Sequence, residues 1–238
     1  MHSFILLACS LAALLVAMTG WSRIRKPDIF LPATLIGLFG GVTNVWATFY
    51  IQNTSPGPLS YLLVVGMLFL FIASGLYLAE KGGLPGLCPK VENRLLLGGL
   101  GTGVGVLVGL TTWRIALLGA PGLPAFMTNL KTGPNSGLYT ALLVIQSGLV
   151  EEPMYRLFLI SGIVELLSLT GVSRNSRVIL ALMVSSVAFG LIPTHNFAVT
   201  AVVGLLFGSM YLKAGLAPVM LAHMAANAVA LPLLLGWW

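Results

Sequence analysis

The chain has 238 residues, of which 58% are hydrophobic and only 8% charged, and its net charge is +6. A soluble domain carries about 25% charged residues, so these few charges cannot cover a globular surface in water, and a soluble fold is excluded. The basic residues fall in clusters separated by apolar runs rather than on one continuous polar face, which excludes nucleic-acid binding. Runs of roughly 18 or more apolar residues read as transmembrane helices, and the short alternating segments of a β-barrel are not found. The expected fold is all-α: a polytopic membrane helix bundle of about eight transmembrane helices, with the lipid bilayer as its surroundings.

The first stretch, "MHSFILLACSLAALLVAMTG", lacks the basic n-region of a signal peptide, and its basic cluster follows it. It reads as a retained span over 2–20 with its N-terminus outside. Further spans are expected over 28–52, 58–79, 95–118, 137–171, 178–195, 197–213 and 216–237. Lys and Arg gather after the first, third, fifth and seventh of them, as Arg23/Arg25/Lys26, Lys81/Lys90/Arg94, Arg174/Arg177 and Lys213. The connections "QNTSPGP" and "PTHN" carry neither, and 119–135 holds only Lys131. Basic connections mark the cytoplasmic side, so this alternation places both termini outside. Cys9 and Cys88 lie on elements expected to be apart, and no disulfide framework is read from them.

The fifth segment is unusually long, and its only interruption is Pro153. Proline inside a helix removes a backbone donor and clashes with the preceding turn. Either the helix kinks near 149–153, or a new helix starts there with Pro153 in its first turn. Around that proline stands "EEPMYR", residues 151–156. A charged residue at the bilayer centre costs at least about 2.5–3.5 kcal/mol, so three ionisable groups in six positions need compensation. Glu152 and Arg156 are four apart, share a helical face and can pair. Glu151 is then left without a local cation. It is a candidate general base or ion ligand, against the plainer reading of the whole group as charged glue between helices. Glu165, lower on the same segment, reads as an interfacial residue without a catalytic role, and Tyr155 and Phe158 read as packing residues.

Two of the three histidines, His195 in "FGLIPTHNF" and His223 in "LAHMAANAV", lie in or at the rim of later spans. His223 and Asn227 are again four apart on one face. A lone histidine in an apolar helix is usually a satisfied core residue; two of them in a chain that also carries paired intramembrane glutamates point to a site.

Taken together, these residues resemble the CPBP family of intramembrane proteases, also called Abi or CAAX-protease-and-bacteriocin-processing. "EEPMYR" matches its EExxxR motif and "HMAAN" its HxxxN/D motif. The remaining motif, FxxxH, is altered: four residues after Phe189 stands Pro193, and the histidine follows at His195. For His195 to take the family role, the chain must rearrange locally at Pro193 and dip inward around a wet cavity. The resemblance covers about 137–237, which it implies to be the catalytic core of a single transmembrane domain, 1–238, with 1–118 as accessory N-terminal helices. It implies an intramembrane endopeptidase acting on a membrane-associated or C-terminally tagged protein or peptide. Glu151, aided by His195, would activate a water; His223 and Asn227 would stabilise the oxyanion; Glu152 and Arg156 would orient the site. No cofactor is expected. The competing version is a zinc ion held by Glu151, His195 and His223, although the HExxH spacing does not occur. The expected location is a bacterial cytoplasmic (inner) membrane. Two other functions fit parts of the pattern: a non-proteolytic scaffold or regulator that binds a partner helix, favoured by the displaced histidine, and an ion or proton relay through Glu151 and Glu152.

Overall fold

The computed structural model describes residues 2–51, 54–88, 94–119, 125–191 and 197–237. All regular structure among them is helical: α1 (His2–Ile24), α2 (Pro27–Ile51), α3 (Pro58–Lys81), α4 (Arg94–Gly119), a short α5 (Ala125–Thr132), α6 (Ser136–Gln146), α7 (Ser161–Ser168), α8 (Arg174–Gly190), α9 (Phe197–Ala214) and α10 (Leu216–Leu235). Between α6 and α7 the backbone stays helical but widens into two π-type stretches, π1 (Ser147–Glu151) and π2 (Pro153–Ile160).

Five helical stretches among the described residues are long and apolar enough to cross a membrane: Pro27–Ile51, Pro58–Lys81, Leu96–Ile115, Phe197–Ala214 and Leu216–Leu235. Of the other expected spans, α8 has 17 residues, the long fifth segment is divided by its π stretches, and α1 is apolar over Ala8–Ile24, the part whose side chains are described.

At Pro153 a new element does begin, with the proline as its first residue, but it is π-type and the run from Ser136 to Ser168 stays helical through it, with a loosened turn. The reason lies in the proline itself. Pro153 has no N–H to give, and in α geometry its ring would meet the carbonyl of Leu149. A wider turn moves that carbonyl aside, and π-type bulges of this kind appear often at functional sites. The displaced Leu149 carbonyl faces α2 at Gly40, where an added Cβ would come within 3.1 Å of it.

The core is formed where α3, π2, α9 and α10 meet, around Ile72, Leu157, Ile160, Phe207, Tyr211 and Val219. Polar side chains inside it are paired: Ser74 Oγ donates to the Ala13 carbonyl at 2.8 Å, and Ser161 and Tyr211 share a hydrogen bond of 3.3 Å.

The placement of α10 is fixed at its start. Gly215 alone connects it to α9, at φ 80°, a left-handed conformation that glycine adopts without steric cost. The first two backbone N–H groups of α10, on Leu216 and Ala217, donate to the carbonyls of Gly86 and Leu87 at 3.0 and 2.9 Å. The turn-rich loop after α3 thus caps α10 and sets its height in the bundle.

Alongside α10 lies α4, at backbone contact. Cβ atoms added to Gly101, Gly105 and Gly109 would come 2.6, 2.0 and 2.4 Å from the carbonyl oxygens of Pro218, Ala222 and Ala226. Small residues four apart allow this approach in membrane helices.

Charged groups gather at one end of the bundle. Arg23 donates to Asp28 at 2.9 Å and pairs with Glu80 at 2.8 Å; Lys81 pairs with Glu165; Arg174 donates to the Gly83 carbonyl at 2.9 Å. Glu165 therefore has an interfacial cation partner.

Candidate active site

Glu152 stands at the midpoint of the helical run from Ser136 to Ser168. At no more than 1.5 Å per residue, and less through π2, Glu165 and the charged end lie up to about 19 Å further along the axis. The site is thus deep in the bundle. Glu152 and Arg156 are fully buried, and Arg156 is the largest side chain without solvent access among the described residues.

The buried charges satisfy one another. Arg156 Nε donates to Glu152 Oε2 at 3.0 Å. The other carboxylate oxygen, Oε1, lies 2.7 Å from His223 Nδ1 on α10. Arg156 Nη1 donates to Ser185 Oγ on α8 at 3.1 Å, and Ser185 donates onward to the Tyr155 carbonyl at 2.7 Å. The guanidinium also faces the ring of Phe189, with Cζ 4.7 Å from its centroid; cation–π contacts of this kind strengthen when desolvated. Phe189 is a hub of the packing: its ring meets Tyr155 edge-on at 5.3 Å and His223 at 5.8 Å. Phe207 of α9 also packs on the imidazole, with ring centroids 5.3 Å apart.

Glu151 differs from its neighbour. Its side chain keeps 26% of its exposure, and its Oε2 is 3.9 Å from His223 Nε2. Its nearest ionisable neighbour besides Glu152 thus comes from another helix rather than from its own segment, and the two form an ion pair only when His223 is protonated. The two consecutive glutamates address the two nitrogens of one imidazole. Since a carboxylate only accepts, His223 presents its Nδ1–H to Glu152, and in the neutral ring Nε2 is then a free acceptor turned toward Glu151.

Of the residues read from the sequence, Glu151, Glu152, Arg156 and His223 are brought into one cluster. Asn227 lies one turn beyond His223 on α10 and is half-buried. His195, Pro193 and the local rearrangement expected there lie outside the described residues. Glu151 and His223 offer two facing donors to a cation, but among the described residues no group of three His, Cys, Asp or Glu side chains is placed to hold a metal.

Three contributions to the site are not legible in the sequence. Ser185 is there only one of a polar pair, "SS", in an apolar helix. Phe189 stands as the first position of the altered FxxxH motif, with no sign that its ring faces Arg156. Gly148 seats π1 on α10: a Cβ there would come 2.7 Å from the Met220 carbonyl and 2.6 Å from Met224 Cε.

Residues 133–229 match the family model described as Type II CAAX prenyl endopeptidase Rce1-like. The matched stretch contains the whole cluster and Asn227. No curated protein and no solved structure matches the chain. The matched family is one of proteases, and together with the apolar helices it makes the chain an integral membrane protein.

Proposed function

We propose, from the Rce1-like, CPBP-family domain that the chain carries at residues 133–229, that the protein hydrolyses a peptide bond in a membrane-associated or C-terminally tagged protein or peptide. The observation that carries this reading is the division of labour between adjacent carboxylates. Glu152 is consumed by Arg156 and His223 inside the core, while Glu151 keeps an accessible edge beside the same histidine.

In this reading Glu151 takes a proton from a water held beside it. The hydroxide attacks the scissile carbonyl carbon, and the carbonyl electron pair moves onto oxygen. His223 and the Asn227 amide donate to that oxyanion. As the tetrahedral intermediate collapses, the C–N bond breaks and the proton passes from Glu151 to the leaving amine. Donation from Nε2 while Nδ1–H holds Glu152 requires the resting, neutral ring to take up a proton from solvent as the substrate binds, and the flanking carboxylates stabilise the charge that results. Glu152 and Arg156 orient the imidazole, and His195 assists Glu151. The mechanism uses no metal, and the expected location is a bacterial cytoplasmic membrane.

The test is Glu151→Gln in purified protein, assayed on an internally quenched peptide bearing a farnesylated cysteine near its C-terminus. Cleavage is expected to disappear while the variant stays folded in detergent. A Glu151→Gln protein that still cleaves would refute the assignment of the base.

A further inference from the structure

The nitrogens of Arg156 are unequally provided for. Nε has Glu152, Nη1 has Ser185, and Nη2 has no protein partner among the described residues, although the whole side chain is buried. Ser185 is itself fully buried. Its hydroxyl has one hydrogen, and the Tyr155 carbonyl takes it at 2.7 Å. The direction of the bond to Arg156 is thereby fixed: the Ser185 oxygen accepts and Nη1 donates, at 3.1 Å. One side chain on α8 thus ties down both the backbone just before Arg156 and the guanidinium.

We infer that Ser185 is a positioning residue for the imidazole of His223, acting through Arg156 and Glu152. With Nη1 held by Ser185, the guanidinium plane is set and Nε meets Glu152 Oε2. Oε1 of the same carboxylate is then aimed at His223 Nδ1, 2.7 Å away. This selects the neutral tautomer that carries its proton on Nδ1 and leaves Nε2 facing Glu151. Alanine at 185 removes the acceptor and frees the guanidinium to turn about its Nε–Glu152 bond. The catalytic consequence rests on the protease reading above; the effect on the ring does not.

The experiment uses [15N]histidine-labelled full-length protein in detergent micelles, with His223 identified by the loss of its signals in His223→Asn. Parent protein is expected to show a protonated Nδ1 and an unprotonated Nε2 in the neutral ring, and Ser185→Ala a mixture of the two tautomers. On the farnesylated quenched peptide, Ser185→Ala should lower kcat about 10- to 100-fold, the size expected for one hydrogen bond to a charged group, with KM changed by less than about twofold. Ser185→Thr, which keeps the hydroxyl, should recover both readouts. If Ser185→Ala keeps the parent's 15N pattern, the inference is overturned whatever its activity. If the pattern changes but the parent cleaves nothing, the protease reading fails and the positioning role stands. Should Ser185→Ala fail to fold, Ser185→Cys against Ser185→Thr makes the same comparison: a tautomer mixture in the first only supports the inference, and parental patterns in both overturn it.

Discussion

Removing Glu151 and removing Glu152 should produce opposite failures, although the residues are adjacent and chemically identical. Glu152 is fully buried and is the acceptor for Arg156 Nε at 3.0 Å and His223 Nδ1 at 2.7 Å. Glu152→Ala strands a guanidinium with no solvent access. Breaking a buried pair from one side costs about 3–5 kcal/mol. Glu151 donates nothing to that pair, keeps 26% of its side-chain exposure and stands 3.9 Å from His223. Glu151→Gln should therefore change stability by less than about 1 kcal/mol while abolishing cleavage. Replacing both members of the buried pair, Glu152→Leu with Arg156→Met, leaves no uncompensated charge and should be less damaging than Glu152→Ala alone. Denaturant titration in mixed micelles, followed by tryptophan fluorescence, reads all of these on one scale. The reasoning is refuted if Glu152→Ala costs under about 1 kcal/mol, or if Glu151→Gln is as costly as Glu152→Ala.

Two glycine substitutions should separate positioning from packing. Gly148→Ala places a Cβ 2.7 Å from the immobile Met220 carbonyl, so π1 must move away from α10 and stretch the Glu152–His223 contact; kcat/KM should fall about tenfold. Gly105→Ala meets the Ala222 carbonyl at 2.0 Å, a worse clash, but α4 presents exposed Leu100 and Leu107 on its other face and can yield outward, so the melting temperature should drop while activity per folded molecule is kept. A strong chelator should leave cleavage of the farnesylated peptide unchanged; loss of activity that returns with added zinc would replace the metal-free mechanism with the metal-assisted one.

The helical, membrane-embedded nature of the chain was legible because charge scarcity and apolar run length are properties of composition. The pairing of Glu152 with Arg156 was legible for a local reason: residues four apart meet on a helix whatever surrounds them. The partner of Glu151 was not, because His223 arrives from a helix more than seventy residues later and its height depends on two backbone bonds to Gly86 and Leu87. Proline chemistry announces a disturbance at Pro153, yet it does not choose between a kink, a new start and a widened turn; the widened turn is found where the chain packs closely against Gly40 and α10. The glycine ladder Gly101–Gly105–Gly109 carried a spacing that could have been read as close helix contact, and it gives the fourth helix a reason to be there.

The widened turn is more than a way to house a proline. In an α-helix, consecutive side chains diverge by roughly 100°, and a wider turn sweeps a smaller angle per residue. That brings Glu151 and Glu152 closer to a common direction, which they need in order to address two nitrogens of one ring from one strand of backbone. Pro153→Ala restores the missing N–H and removes the clash with the Leu149 carbonyl, so the tighter α register becomes available. Proline in a helix interior costs about 3 kcal/mol; the variant should thus be at least as stable as the parent. Its activity should nevertheless fall about tenfold or more, because tightening the turn swings Glu151 away from His223. Thermal unfolding and cleavage of the farnesylated peptide, measured on the same preparation, decide the matter. A Pro153→Ala protein that is more stable and equally active would show that the π geometry merely tolerates the proline and does no work in aligning the carboxylates.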